Sequence, residues 1–358
     1  MSDTTMAPPR RRSTTQRLRM PVMLLAVAFL ASSCFSIWGL RASYTGYITS
    51  PIANGSITQY DVYNDTTGEF VWLTDWVDFD TGTNTGTIQL EGGIRTVGHM
   101  TTDGYLLDLA LWNPRIEVTS PTAGTLYVDL NFRPYEGFSP PVFPALQAEL
   151  DVAFATLDLS GVSWTPDGNG IISIVDAPAV GITAAMELIG WDDFYGANVT
   201  LDPFSFYFDP NDQAQALAAA PEVIVSRTDD LDPGDEILVF GEGFDPAGNI
   251  GTRPPFAGQP AGVYSVFGKF VDPWEPSTGA PSSSRTVIDS IWNLPLAQYN
   301  SLGGPVNPAV SLLDSFGTFE TVITVDTDAA AGDYGVYVYP GSGAVNPAHE
   351  IEIPVTFP

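Results

Sequence analysis

Two tyrosines in the run RASYTGYITSPIANGS, residues 41–56, have a spacing that could separate their roles. Tyr44 and Tyr47 stand three positions apart among small and hydroxylated residues. We predict that this run is a β-strand, in which side chains three apart point to opposite faces because the side-chain period is two. One ring can then join a core while the other faces outward, which leaves the outward phenol to be explained.

Other residue types that carry chemistry are scarce. The chain has two histidines, His99 and His349, in different predicted domains, and one cysteine, Cys34. This excludes a multi-histidine or a cysteine-based metal site. No serine stands in a G-x-S-x-G context for a Ser-His-Asp triad, and nothing singles out a pair among the 42 acidic residues for glycoside hydrolysis. We therefore predict that the protein is not an enzyme.

The composition predicts a mainly β protein with a strongly acidic surface. The 358 residues include 34 glycines and 30 prolines, which interrupt helices too often for long ones to form. Five of the 13 basic residues fall in the first twenty positions, so the remainder carries 8 basic side chains against 41 acidic ones. Such a charge balance repels phosphate backbones, so we expect no nucleic-acid partner.

The N-terminus has the pattern of an export signal. Arginines precede the apolar run PVMLLAVAFLASSC, which is too short to span a bilayer comfortably and ends in small residues. We predict a signal peptide over residues 1–33. Two routes of processing fit: LASSC approximates a bacterial lipobox, in which Cys34 would be acylated and form the protein's sole membrane anchor, and Ala31 to Ser33 also fit a plain signal-peptidase site. In both cases the remainder is expected outside the cytoplasm.

The rest of the chain divides by composition into two β domains. Residues 36–209 alternate apolar and polar positions between turn residues. Two segments depart from this alternation: FPALQAELDVAFATLDL is expected to begin as a helical turn, and APAVGITAAMELIGWDDFY has helical spacing. A small, polar linker follows at 210–222. Residues 223–358 have the rhythm of an immunoglobulin-like β-sandwich and resemble bacterial immunoglobulin-like or IPT-type domains.

The first domain resembles a known family in six ordered blocks. These are SIWGLRASYTGYITSPIANGSI, DTGTNTGTIQLEGGIRTVGHM, LDLALWNPRIEV, GTLYVDL, VAFATLDLSG and GITAAMELIGWDDFYGANVTLDPFSF. Together they resemble the HtaA domain, a secreted or surface haem-binding module of haem-uptake systems in high-GC Gram-positive bacteria. The resemblance implies a β-rich fold with two short helices. It also implies ferric haem as the cofactor.

The resemblance also assigns candidate haem-binding residues. Tyr47, in TGYI, matches the family's tyrosine ligand, which implies that it binds the iron as the axial ligand while Tyr44 packs. His99, in RTVGHM, matches the family's Gly-His and would hydrogen-bond the phenolate. Tyr195, in DDFYGAN, matches a third position and is expected to line the pocket or bind a propionate. Ser56, in NGSI, is a candidate propionate donor.

The function that this implies is capture of ferric haem at the cell envelope and its relay, with other haem-uptake proteins as partners. Phenolate favours Fe(III), which suits a protein that meets oxidised haem outside the cell. Two alternatives stay open at this stage. One is an adhesive or structural envelope protein whose HtaA-like domain does not bind haem, and the other is a carbohydrate-binding module.

Overall fold

The structure of the protein is a computed structural model. It describes residues 34–65, 67–102, 104–135, 137, 143–196, 198–211, 220–326 and 333–357. The predicted signal peptide, 1–33, lies outside these residues, as do positions 212–219 of the predicted linker. The prediction of a mainly β chain is confirmed, since strands predominate throughout the described residues. Among the described residues, no helix combines the length and the apolar character that a bilayer crossing requires.

The first half of the chain forms a sheet of twelve strands. Nine of them follow the order β10-β12-β1-β4-β5-β7-β8-β9-β11, while β3 pairs with β4, and β6 pairs with both β2 and β7. The strands are β1 Phe35–Trp38, β2 Ser56–Tyr60, β3 Val62–Asn64, β4 Phe70–Asp80, β5 Thr85–Leu90, β6 Gly93–Thr101, β7 Gly104–Ser120, β8 Ala123–Phe132, β9 Gln147–Asp158, β10 Ile172–Ala177, β11 Ala179–Gly181 and β12 Phe204–Phe208.

The second half forms a sheet of eight strands in the order β13-β14-β18-β17-β16-β15-β19-β20. All of its pairings are antiparallel except that between β16 and β17. The strands are β13 Glu222–Val225, β14 Glu236–Glu242, β15 Val263–Phe270, β16 Arg285–Pro295, β17 Val310–Leu313, β18 Phe319–Thr324, β19 Tyr334–Pro340 and β20 Ile351–Val355.

Four short α-helices connect the strands in the described residues. They are α1 Ala42–Ile48, α2 Thr183–Leu188, α3 Asp192–Tyr195 and α4 Leu296–Ser301. The helical spacing noted near residue 186 therefore corresponds to α2 and α3. The helical turn expected at the start of FPALQAELDVAFATLDL is wrong. Residues 143–146 form no helix, and the segment continues as β9, which pairs with β8.

The prediction of a strand at the start of residues 41–56 is also wrong, since Ala42–Ile48 is helix α1. No side chain caps its N-terminus, and seven residues are too few for an independent helix. Tyr44 and Ile48, one helical turn apart, are both buried in the core of the first sheet. Packing of these two side chains against the core therefore holds α1 in place. The alternation of residue types in the sequence does not reveal this packing.

The two sheets contact each other through buried polar groups as well as apolar ones. The Asn131 side chain donates to the Glu236 carbonyl at 2.9 Å and accepts from the Ser226 hydroxyl at 3.1 Å. Nearby, the rings of Trp112 and Phe240 lie 5.3 Å apart between centroids. The directional hydrogen bonds fix the register between the sheets, and the aromatic pair removes apolar area from water.

Candidate functional site

Helix α1 presents its two tyrosines along one face. Residues three apart on a helix are neighbours, so both rings point towards β6 and β7. Tyr44 is buried: its hydroxyl lies 2.6 Å from the Thr96 hydroxyl, and its ring lies 4.6 Å from that of Trp191. Tyr47 is only partly buried. The sequence predicted one packing ring and one accessible ring on opposite faces of a strand. In the structure both rings lie on one face of helix α1, and they differ because Tyr44 is buried more deeply than Tyr47.

The accessible phenol meets the one imidazole of the first sheet. Tyr47 Oη lies 2.5 Å from His99 Nε2. His99 has a φ of 56°, a left-handed conformation that interrupts β6 between the paired residues Gly98 and Met100. Its backbone N–H leaves the strand ladder and donates to Ala53 O at 2.8 Å. This irregularity aims the imidazole at α1 and fastens the loop that follows the helix.

The protonation of this pair follows from its partial burial. Burial raises the pKa of Tyr47, and the nearby phenols of Tyr135 and Tyr195 add to the rise. Burial also lowers the pKa of His99. At neutral pH both groups are therefore uncharged, and the phenol can donate its proton to Nε2. If Tyr47 ionised, the same short contact would let a protonated Nε2 donate to the phenolate instead.

A cavity of about 350 Å³ opens beside Tyr47. Its lining is mostly aromatic and aliphatic, with Ser43, Asp108 and Arg133 as polar members. The apolar and aromatic lining residues are Tyr44, Tyr47, Leu106, Leu107, Leu109, Phe132, Tyr135, Ile189, Trp191, Phe194 and Tyr195. Such a composition suits a large, flat, apolar molecule that carries a few polar groups.

Two arginines beside the cavity have donors to spare. Arg133 lines the cavity, is 8% exposed and donates one guanidinium N–H to Pro144 O. The Arg41 guanidinium lies 4.1 Å from the centre of the Tyr195 ring and donates to Thr200 O. Within the described residues, the Nε atoms of both arginines are buried without a hydrogen-bond partner, and neither side chain forms an ion pair. Guanidinium groups that form no ion pair beside a cavity favour an anionic ligand group.

The predicted site residues are only partly brought together. Tyr47 and Tyr195 line the cavity, and His99 joins them through its bond to Tyr47. Ser56 does not belong to this group: it is exposed, begins β2 and pairs with Val97.

Several lining residues escaped the sequence reasoning, among them Ser43, Arg133, Tyr135 and Phe194. Ser43 stands four positions before Tyr47, one helical turn away, so recognising α1 as a helix would have placed it beside the phenol. Tyr135 and Phe194 lie in separate parts of the chain and pack ring to ring, 5.0 Å between centroids. No local pattern marks such a pair.

The donor set suits one oxygen ligand rather than a multidentate metal site. In the part of the chain that the structure describes, no group of three His, Cys, Asp or Glu side chains is placed to hold a metal ion. Tyr47 therefore offers a single phenolic oxygen beside an apolar cavity, supported by one imidazole. The fold and site define a β domain in which an accessible phenol lies at the edge of an aromatic cavity.

The comparisons place this domain in a family. The HtaA family model (Htaa) matches residues 34–207, and this part of the chain is an HtaA domain. Similar solved structures come from Corynebacterium glutamicum. The N-terminal domain of HtaA is 24% identical, over 49% of this chain and 96% of that chain, with a TM-score of 0.43. The C-terminal domain of HtaA is 26% identical, over 49% and 94%, with a TM-score of 0.40.

The haem-binding protein HtaB of the same organism is 22% identical, over 48% of this chain and 90% of that chain, with a TM-score of 0.38. No curated protein matches the chain.

Proposed function

We propose that the HtaA domain of this protein binds ferric haem, with Tyr47 as the axial ligand. The observation that carries the proposal is the Tyr47–His99 contact of 2.5 Å at an aromatic cavity of about 350 Å³. The match of residues 34–207 to the HtaA family, and the haem-binding HtaB among the similar structures, point to the same ligand.

In this proposal, Tyr47 supplies a phenolate to the iron and His99 holds it. An ordinary phenol has a pKa near 10, and burial raises that of Tyr47 further, so ionisation at pH 7 costs about 4 kcal/mol or more. When bound, ferric haem would supply a hard cation whose bond to the Tyr47 oxygen would offset this cost. His99 Nε2, already within hydrogen-bond distance, takes up the phenolic proton and then donates to the phenolate.

Arg133 and Arg41 resolve a problem of charge. Ferric haem with two ionised propionates is a net anion, and the chain carries a formal net charge of −29. Long-range repulsion therefore opposes capture, so the ligand has to be held locally. We assign this role to Arg133 and Arg41, whose side chains form no ion pair within the described residues. Arg95 and Arg115, by contrast, are already paired with Asp108 and Asp151.

Titration of the purified protein with hemin tests the proposal. The wild type should give a sharpened Soret band and a tyrosinate charge-transfer band. Tyr47→Phe keeps the ring but removes the oxygen, so it should abolish the charge-transfer band and weaken binding at least about tenfold. His99→Ala should keep the band but weaken binding about tenfold, the usual effect of losing a ligand's hydrogen-bond partner.

Tyr63→Phe is the matched control, because Tyr63 is 39% exposed and does not line the cavity. This variant should titrate like the wild type. Identical spectra for wild type and Tyr47→Phe would refute the ligand assignment even if some haem adhered. Absence of any hemin binding by the wild type would refute the function.

The wider role that we propose is non-enzymatic haem capture and relay outside the cytoplasm. It depends on export by the signal peptide predicted over 1–33, with either lipidation or simple cleavage at Cys34. Globomycin-sensitive processing would establish the lipid anchor, and insensitive processing would refute it. We further propose that residues 223–358 form a separate immunoglobulin-like domain.

A further inference from the structure

A second cleft, with no acidic side chain in its lining, lies on the eight-stranded sheet. It has a volume of about 580 Å³ and includes Arg253, Arg285, Tyr264 and Tyr339 in its lining. Residues 223–358 contain four basic side chains and 17 acidic ones, yet two of the four basic residues and no acidic residue line this cleft. The residues that line the cleft therefore carry a net positive charge, opposite in sign to that of the chain as a whole.

The floor of the cleft is the face of the sheet that points away from its main core. On β15 and β19, Val263, Phe267, Val336 and Val338 pack into that core. The alternate residues, Tyr264 on β15 and Tyr339 on β19, belong to a separate aromatic cluster on the other face. They are direct cross-strand partners, with ring centroids 5.5 Å apart, and both remain partly exposed.

One loop holds Arg253 at the rim. The Arg253 backbone N–H donates to Ser342 O at 3.0 Å, and the Ser342 hydroxyl donates back to Arg253 O at 2.6 Å. Gly343 has a φ of 73°, and a Cβ there would lie 3.1 Å from Arg253 Cδ, so glycine is needed for this close approach. The Arg253 backbone is thus fixed, while its side chain is exposed and forms no ion pair in the described residues.

Arg285 extends the cationic side over the aromatic floor. Its guanidinium carbon lies 5.8 Å from the centre of the Tyr339 ring, and NH1 donates to Trp274 O at 2.6 Å. The neighbouring carboxylates of Glu350 and Glu352 are bonded to Ser277 and Trp274 instead. Within the described residues Arg285 has no carboxylate partner, so its remaining N–H groups are available to an anion.

We propose that this cleft binds an acidic sugar, whose ring lies on Tyr264 or Tyr339 and whose carboxylate is held by Arg253 and Arg285. The C–H groups of a sugar ring carry partial positive charge and suit the negative face of an aromatic ring. Guanidinium groups match a carboxylate in shape and charge. Two serine hydroxyls in the lining, of Ser282 and Ser342, add partners for sugar hydroxyls.

Two other classes of anion fit less well. An extended acidic peptide binds by adding a strand at a sheet edge, but β15, β16 and β19 are each paired on both sides. An anionic membrane would repel a chain with a formal net charge of −29. An acidic sugar requires neither a free edge nor a broad cationic surface.

Calorimetric titration of the full-length protein with trigalacturonate tests this site, with maltotriose as the neutral sugar. The wild type should bind the uronate and not maltotriose, and higher salt should weaken the binding. Arg253→Met should weaken it about tenfold, the effect expected for losing one charged hydrogen-bonding partner. Arg285→Met is a second variant and should also weaken binding. Arg285 donates to Trp274 O, so its loss could disturb folding, whereas Arg253 is exposed and its variant keeps the test valid in that case.

Lys269→Met is the matched control. It removes the same charge from the same sheet, but Lys269 lies over the Tyr334 ring and does not line the cleft. It should bind trigalacturonate within about twofold of the wild type. The proposal is overturned if Lys269→Met loses as much affinity as Arg253→Met, if maltotriose binds equally well, or if polyglutamate or phosphatidylglycerol vesicles bind the cleft as tightly as the uronate.

Discussion

A buried cluster of three charges connects the haem domain to the second sheet. Asp108, on β7, accepts two bonds from Arg95, at 2.8 and 2.7 Å, and one from Arg227, at 3.0 Å. The Asp108 and Arg227 side chains are each 3% exposed, and that of Arg95 is 15% exposed. Asp108 also lines the cavity beside Tyr47. Mutation of this cluster therefore tests whether Asp108 or Arg227, from the second sheet, contributes more to the free energy of unfolding.

The pKa shifts show how unequal the two arginines are. Burial alone would lower the pKa of Arg95, but its two bonds to Asp108 outweigh that effect and raise it. At Arg227 burial prevails, and the pKa is lowered despite the attraction of Asp108. Arg95 is thus the principal partner of Asp108, and Arg227 is a less well compensated buried cation.

The expected free energies of unfolding follow from this inequality. Asp108→Asn leaves two buried guanidinium groups without their shared anion, which should cost about 3–5 kcal/mol. Arg227→Met leaves Asp108 with both bonds from Arg95 and removes a poorly solvated cation. It also removes the bonds to the Asp229 and Asp230 carbonyls, so it should cost only about 1–2 kcal/mol. The loss for Asp108→Asn should be at least about twice that for Arg227→Met.

Urea unfolding at pH 7, followed by tryptophan fluorescence, measures both losses. Arg115→Met is the control, because its partner Asp151 has a side chain that is 68% exposed, and such a surface pair contributes less than about 1 kcal/mol. An Arg227→Met loss equal to or larger than that of Asp108→Asn would refute the reasoning. It would mean that the contact with the second sheet, rather than the bond to Arg95, dominates the cluster.

Two further predictions concern packing and pH. Gly93→Ala should destabilise the protein by about 2–4 kcal/mol in the same assay, because the new Cβ would lie 2.4 Å from the buried Trp112 ring; an unchanged unfolding midpoint would contradict this. Burial and repulsion by nearby carboxylates, including Glu242, raise the pKa of Asp75 to about 6 and that of Glu91 to about 7. The folded state then binds protons more tightly than the unfolded state, so these two groups should make stability fall as pH rises from about 4 to 7. Glu91→Gln should reduce this decline in urea titrations across that range, and an unaltered decline would exclude Glu91 as its source.

The sequence predicted more of the fold class than of the local geometry. Alternating strands and turn residues indicated a mainly β chain, and the spacing around Met186 indicated the helices of residues 183–195. The helical turn expected at the start of FPALQAELDVAFATLDL was wrong, because residues 143–146 form no helix and the following residues form β9, which is held by pairing with β8. The resemblance to the HtaA domain brought Tyr47, His99 and Tyr195 forward as candidates, and the structure places these three together.

By itself, the sequence determined which chemistry was available: a single imidazole in the first domain, accessible phenols and few cations. Only the tertiary structure decided how these groups meet. Helix α1 has a glycine and no capping side chain, so its conformation depends on burial of Tyr44 and Ile48 rather than on local preference. Likewise, Tyr47 and His99 are 52 residues apart and meet because packing of α1 against an interrupted strand brings them together. The physical reason is that local propensity differs by fractions of a kcal/mol per residue, while burial of one large side chain contributes about 2 kcal/mol.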